Sequence, residues 1–233
     1  VDREEVPWRL FDERSLSYDA WYETPLGAFA DRVERETVFG LLEPMPGERI
    51  LDVGCGTGRY ALELASCGVN PVGIEPSAGM LAFAIPRSAA RSRPAFARGV
   101  AESLPFASGV FDAAISVTTL EFVGDADAAL AEAARVTKTG GRLVLGVLNA
   151  RGPWAARRRR SGDVFWQTAR FFRRAELEQR LRGLGEVRSR LAVYVPLELS
   201  RAPPPAFPFL ERLGARLAPS LGAFIAVRVD LRR

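Results

Sequence analysis

Residues 50–58 read Ile50-Leu51-Asp52-Val53-Gly54-Cys55-Gly56-Thr57-Gly58, an apolar run entering glycines at every second position. Glycine there allows positive φ and lets a ligand reach main-chain N–H groups that a Cβ would shield. The next segment, Arg59-Tyr60-Ala61-Leu62-Glu63-Leu64-Ala65, is rich in helix formers and closes at Gly68, a C′ position. Strand, glycine turn and helix N-terminus in that order make a cofactor cradle. A dinucleotide fold needs G-x-G-x-x-G, whereas the spacing here is G-x-G-x-G and Arg59 stands where the third glycine would be. Glu75 ends the next apolar run, Pro71-Val72-Gly73-Ile74, about 20 residues on, where a carboxylate suits a ribose diol. Glu75 therefore points to a nucleoside of either class, and the glycine spacing favours adenosylmethionine over NAD.

Further motifs follow in order: Gly73-Ile74-Glu75-Pro76-Ser77, then Ala101-Glu102-Ser103-Leu104-Pro105-Phe106 with Phe111-Asp112. Together with Leu51 to Gly58 they resemble the class I S-adenosylmethionine-dependent methyltransferases, in their small-molecule, type 11-like branch. A glycine turn that only packs a helix on a sheet does not account for the downstream motifs. The resemblance implies an α/β fold, a Rossmann-like three-layer sandwich with a mostly parallel seven-stranded sheet, an antiparallel last strand and an N-terminal helical lid. It implies S-adenosylmethionine as cofactor and S-adenosylhomocysteine as product. The cofactor-binding candidates are Tyr18, Tyr22, Asp52, Gly54, Cys55, Gly56, Gly58, Tyr60, Glu75, Pro76, Ser77, Met80, Ala101, Glu102 and Thr118. In relatives the Ala101 loop meets the adenine, and many carry an acidic residue just before the alanine. Val100 occupies that place, so Glu102 or a main-chain carbonyl must serve the adenine N6.

The elements that position these residues are legible as periodicity. Thr24-Pro25 is an N-cap followed by proline at the first helical position, and Leu26, Phe29, Ala30, Val33, Thr37, Val38 and Leu41 recur at helical spacing up to Pro44. Before it, Ser15 to Tyr22 is unusually aromatic. Tyr18, Trp21 and Tyr22 are candidates for a lid closing over the methyl group, or for an anchor that glues the first helix down. Ser77 caps a helix through Met80, Leu81 and Phe83, expected to break before Pro86, and Ala95 to Ala97 is a short strand. Phe111 to Val117 is almost continuously apolar, a strand buried on both faces that opens into Thr118, Thr119 and Glu121. Asp125 starts a helix expected to end at Gly140, and Arg142 to Leu148 is the fifth strand. Beyond Asn149 we expect a loop through Arg157-Arg158-Arg159-Arg160, a helix from Arg174 to Leu181, a strand near Val187 to Val195, a helix over Phe209 to Leu217 and a last strand from Gly222 to Val229.

At 233 residues the chain fits a single methyltransferase domain, 1–233. Within it, 1–45 forms the lid segment, 46–150 the cofactor-binding half and 151–233 the acceptor-side half. No apolar run reaches membrane-span length and the first residues are charged, which reads as a cytoplasmic protein. Cys55 and Cys67 offer neither metal spacing nor a disulfide framework, and no metal site is expected.

The chain has no histidine, which removes the commonest general base and metal ligand. Methyl transfer tolerates this, because it is an in-line displacement that rests on positioning. No catalytic residue is assigned; Tyr18, Tyr22 and Glu121 are the candidates at the mouth. Residues 151–201 carry a net charge of +8 against −6 over residues 1–50, enough to steer an anionic ligand. The expected partner is a small-molecule acceptor, with anionic character left open. The arginine run keeps an RNA or nucleotide methyltransferase as an alternative, although clustered arginines in a loop are usually a solvated face. A non-catalytic adenosylmethionine-binding protein is a further alternative, and Arg59 disfavours a nicotinamide dehydrogenase.

Overall fold

The computed structural model describes residues 8–88 and 94–232. In chain order the elements are α1 (Arg9–Tyr18), α2 (Ala20–Glu23), α3 (Pro25–Leu42), β1 (Arg49–Val53), α4 (Arg59–Ser66), β2 (Asn70–Glu75), α5 (Ala78–Ser88), β3 (Ala95–Arg98), β4 (Phe111–Val117), α6 (Ala126–Val136), β5 (Thr137–Leu148), α7 (Pro153–Arg159), α8 (Val164–Thr168), α9 (Arg174–Leu181), β6 (Gly185–Ala192), α10 (Phe207–Leu217) and β7 (Phe224–Leu231). Caps set several boundaries. Thr24 Oγ1 accepts from Gly27 N at 3.0 Å with Pro25 in the first turn of α3. Asp125 accepts from Asp127 N and Ala128 N at the start of α6.

The strands form one seven-stranded sheet in the order β3-β2-β1-β4-β5-β7-β6. All are parallel except β7, which runs antiparallel between β5 and β6. Because β2 and β3 lie to one side of β1 and β4 to the other, the order reverses between β1 and β4. In an open α/β sheet that reversal leaves a crevice at the carboxyl ends of the strands. Helices close both faces. Leu130, Val136, Leu177 and Leu181 of α6 and α9 pack one side, and Leu26, Val38, Leu42 and Phe207 of α3 and α10 the other.

Four expectations need correction. α5 continues through Pro86 to Ser88, since a proline so near the end of a helix removes only one hydrogen bond. α6 stops at Val136, where Thr137 Oγ1 donates to Ala133 O at 2.7 Å and the chain enters β5 at once. Gly140, at φ +76°, lies within β5, where the register against β4 shifts. β6 ends at Ala192 because Val193, at φ +62°, turns out of the sheet. Finally, the arginine run is not a loop: Arg157 to Arg159 are the last turn of α7.

Candidate functional site

The glycine turn sits at the sheet's reversal point, and its glycines do different work. Gly54, Gly56 and Gly58 have φ of +73°, +54° and +80°. A Cβ on Gly54 would meet Thr119 at 2.3 Å, and one on Gly58 would meet the Phe96 ring at 2.9 Å, so both permit close packing. A Cβ on Gly56 would meet no atom within 4 Å, because it would enter an open cleft. That cleft, of about 110 Å³, is bounded by Gly54, Gly56, Glu75, Pro76, Met80, Ala101, Glu102 and Thr118, with Trp8, Phe11 and Tyr18 across it. A smaller hollow of about 40 Å³ continues it past Asp52, Cys55, Arg59, Tyr60 and Tyr22. Tyr18, Gly54, Gly56 and Thr118 line both.

Carboxylates in these hollows are shielded. Glu75 accepts from Gly56 N at 3.0 Å and from Ser77 N at 2.9 Å; burial pushes its pKa up while these N–H groups oppose the shift. Asp52 is pushed up to about 7, first by burial and then by the charge of Glu75, and its Oδ2 has no hydrogen-bond partner. The Tyr60 hydroxyl is likewise buried without a partner. Two unsatisfied polar atoms beside an open glycine are what a site for a polar ligand requires.

Some candidates serve the frame instead. Ser77 is fully buried and lines neither hollow: its N–H holds Glu75, its Oγ accepts from Met80 N at 3.1 Å, and it donates to Asp12 Oδ1 at 2.6 Å. Gly79 N also donates to Asp12 Oδ1, at 2.8 Å. Asp12 thereby pins α1 to the start of α5, a role that nothing in its local sequence signals. Gly58 lines neither hollow, since its place is against Phe96 and Ala84. Glu102 reaches the cleft wall, but its Oε1 accepts from Gly124 N at 2.8 Å and orders the loop after β4.

A separate cavity of about 400 Å³ opens on the other side of Tyr18 and Thr118. Thr118 follows β4 at φ +50°, so the chain turns sharply there and presents it to all three spaces. The Tyr22 hydroxyl donates to that of Tyr18 at 3.4 Å. The wall is aromatic: Phe11 stacks edge-on against Phe122 and Phe165, and Trp21 against Trp154 with centroids 5.9 Å apart. The segment read as lid or anchor lines the cavities and is tied down by Asp12, and by Asp19 through Thr57 Oγ1 and Arg87.

Two charged residues of this cavity stand out: Glu34, which the sequence did not single out, and Arg158, which it offered only as one of a run of four. Glu34 lines it from α3, and burial pushes its pKa up to about 8. Arg158 lines it from α7, with its guanidinium carbon 4.0 Å from the centroid of Trp166 and 5.2 Å from that of Trp154. The available signal was spacing: Trp154 and Arg158 are four apart and share a helix face, so a buried Trp154 turns Arg158 inward. Glu34, in a stretch rich in charged residues, carried no such signal. Arg157 pairs with Glu198 at 3.3 Å, and Arg159 lies over Phe171 at 4.7 Å.

Glu121, expected at the mouth, lines none of these cavities. It is 2% exposed, its Oε1 accepts from Leu148 N at 2.5 Å, and burial pushes it up to about 7. It anchors the end of β5 beneath the site. Among the described residues no cluster suited to a metal ion is present, and no helix is long and apolar enough to cross a membrane.

A parallel sheet with its last strand reversed, carrying an open glycine cradle at the point where strand order reverses, defines the class I methyltransferase architecture. Residues 51–145, about two fifths of the chain, match the family model described as a methyltransferase domain. A demethylmenaquinone methyltransferase of Beutenbergia cavernae is 40% identical over 148 residues, 63% of this chain and 59% of that protein. An uncharacterised protein of Mycobacterium tuberculosis is 37% identical over 192 residues, 80% of this chain and 64% of its own length. The chain thus spans less than two thirds of the curated relatives it matches. Among solved structures, one described as a SAM-dependent methyltransferase and possible histamine N-methyltransferase, from Thermotoga maritima, superposes with a TM-score of 0.73 at 27% identity, covering 96% of this chain and 99% of that one.

Proposed function

We propose that the protein methylates a small molecule, with S-adenosylmethionine in the cleft and hollow around Gly56 and the acceptor in the aromatic cavity. The observation that carries this reading is that Tyr18 and Thr118 line all three spaces, so donor and acceptor meet at one point. When bound, S-adenosylmethionine supplies an electrophilic methyl group on a positively charged sulfur and leaves as the neutral thioether S-adenosylhomocysteine. Glu75 is placed to take the ribose hydroxyls, Pro76, Met80 and Ala101 to flank the base, and Asp52 and Tyr60 to meet the amino-acid end. Tyr18, Tyr22 and the rings of α1 exclude water and orient the acceptor. Positioning of this kind supplies roughly 7–11 kcal/mol of barrier reduction without a histidine.

The relatives' name, demethylmenaquinone methyltransferase, makes a quinol the first acceptor to try. The arginines favour a small molecule over nucleic acid, because Arg157 pairs with Glu198, Arg159 lies over Phe171 and Arg158 turns into the enclosed cavity. We further propose that the lid segment, the cofactor half and the acceptor half act as a single domain. The test is calorimetry with S-adenosylhomocysteine, followed by mass spectrometry of an acceptor panel. Wild type binds, and Gly56→Val weakens binding at least about 100-fold by filling the cleft. Strain at the positive φ should remove only about 1–3 kcal/mol of stability. A wild-type protein that does not bind, or a folded Gly56→Val that binds normally, overturns the assignment.

A further inference from the structure

The aromatic cavity holds a cation that the methyl-transfer reading leaves without a task. Arg158 Nη1 is sealed from solvent and has no hydrogen-bond partner. Burial draws the Arg158 pKa down to about 10, so the guanidinium is still charged at neutral pH. The other arginines of the wall are satisfied: Arg14 pairs with Asp163 at 2.6 Å and Arg157 with Glu198 at 3.3 Å. Glu34 faces the same cavity and feels Arg158, but among the described residues no ion pair joins them. With its pKa raised to about 8, Glu34 is mostly protonated at pH 7 and does not neutralise the guanidinium. A charged N–H left unpaired in a shielded cavity is costly, and the cost is relieved by an acceptor oxygen brought by the occupant. Around it the wall carries the rings of Phe11, Trp21, Trp154, Phe165 and Trp166, which favour a flat apolar body.

Resting on the methyl-transfer reading above, we propose that the acceptor is a planar aromatic molecule bearing an ionised oxygen, carboxylate or phenolate, which Arg158 receives while the ring lies among Trp21, Trp154 and Trp166. Arg158 then acts as a specificity determinant: it fixes which edge of the ring lies deep and which edge faces Thr118.

Calorimetry with naphthoate, neutral naphthamide, cyclohexanecarboxylate and an acidic nitronaphthol, with and without S-adenosylhomocysteine, tests this. Naphthoate or the naphtholate should bind about 10–100-fold tighter than naphthamide, the advantage of a charge-assisted hydrogen bond. Whichever of the two shows the larger advantage identifies the source of the oxygen. Cyclohexanecarboxylate should bind more weakly than naphthoate. Arg158→Gln should erase the preference for the anion, and Arg158→Lys should keep part of it. Equal wild-type affinity for anion and amide, no binding of either aromatic, or an anion preference that survives in Arg158→Gln each overturns the proposal. Should Arg158→Gln fail to fold, the wild-type ratio and Arg158→Lys decide the matter. Binding of S-adenosylhomocysteine is read separately, so its absence overturns the methyl-transfer reading and its presence without anion preference overturns only the acceptor class.

Discussion

Glu34 sits among charged neighbours on α3, and in sequence it is one more polar position on an amphipathic helix. Its surroundings give it a measurable signature. The unfolded chain holds it near the ordinary value of 4.5, whereas burial in the folded protein raises it to about 8. Between those values the folded state keeps a proton that the unfolded state has lost, so this group's contribution to stability falls as pH rises from about 4.5 to about 8 and is then constant. Glu34→Gln preserves the neutral form and removes the slope. The variant should therefore gain on wild type as pH rises, by on the order of 1–3 kcal/mol at pH 8.5, read by urea denaturation at pH 5, 6.5 and 8.5. Asp52 and Glu121, both pushed up to about 7, have slopes of the same sign that cancel in the comparison. Parallel curves for the two proteins would show that Glu34 is solvated. At this scale the sequence spoke through the glycines and acids of one continuous turn, Asp52 to Gly58, where function and spacing are local. It was silent on Glu34 because the partner surface, α7, is about 120 residues away.

At the scale of elements, α1 is held by Asp12 to the start of α5 and, just past its own end, by Asp19 to Thr57 and Arg87. One carboxylate oxygen of Asp12 takes both the Ser77 hydroxyl and Gly79 N, and α1 also meets the site through rings such as Phe11 and through the Arg14–Asp163 ion pair. Asp12→Ala should speed amide exchange throughout α1 and accelerate dissociation of S-adenosylhomocysteine, leaving exchange in β1 and β4 unchanged. Equal exchange in α1 of the two proteins would assign its anchoring to the aromatic rings and the Arg14–Asp163 pair. The helix starts at Pro25 and Ala126 were legible because a cap and an apolar stripe lie within a few residues of each other. The end of α6 was not. Gly140 has the conformation expected of a helix terminator, but pairing of Thr137 with Phe111 draws the chain into β5 before the helix can reach it. Local propensity lost there to a tertiary hydrogen-bond ladder.

At the scale of the whole molecule, Asn149 joins the end of β5 to the segment leading into β7. Its Nδ2 donates to Ser220 O at 3.1 Å and Gly222 O at 2.7 Å, and its Oδ1 accepts from Arg151 N at 3.0 Å at the approach to α7. Asn149→Ala leaves the buried Gly222 carbonyl without this partner and should cost about 1–3 kcal/mol in chemical denaturation. It should also loosen the aromatic cavity that α7 walls, weakening acceptor binding more than cofactor binding. A change under about 0.5 kcal/mol would place the junction's strength in the β5–β7 ladder. The sequence alone determined the α/β alternation, the cradle and its cofactor class, since each is written in spacing within one or two adjacent elements. The tertiary structure alone decided that Gly56 is open while Gly54 and Gly58 are packed, that Glu121 is an anchor beneath the site, and that one arginine of four turns inward. Those outcomes depend on which surface faces each residue across the fold, and identical side chains in a run, like glycines in a turn, carry no local mark of that.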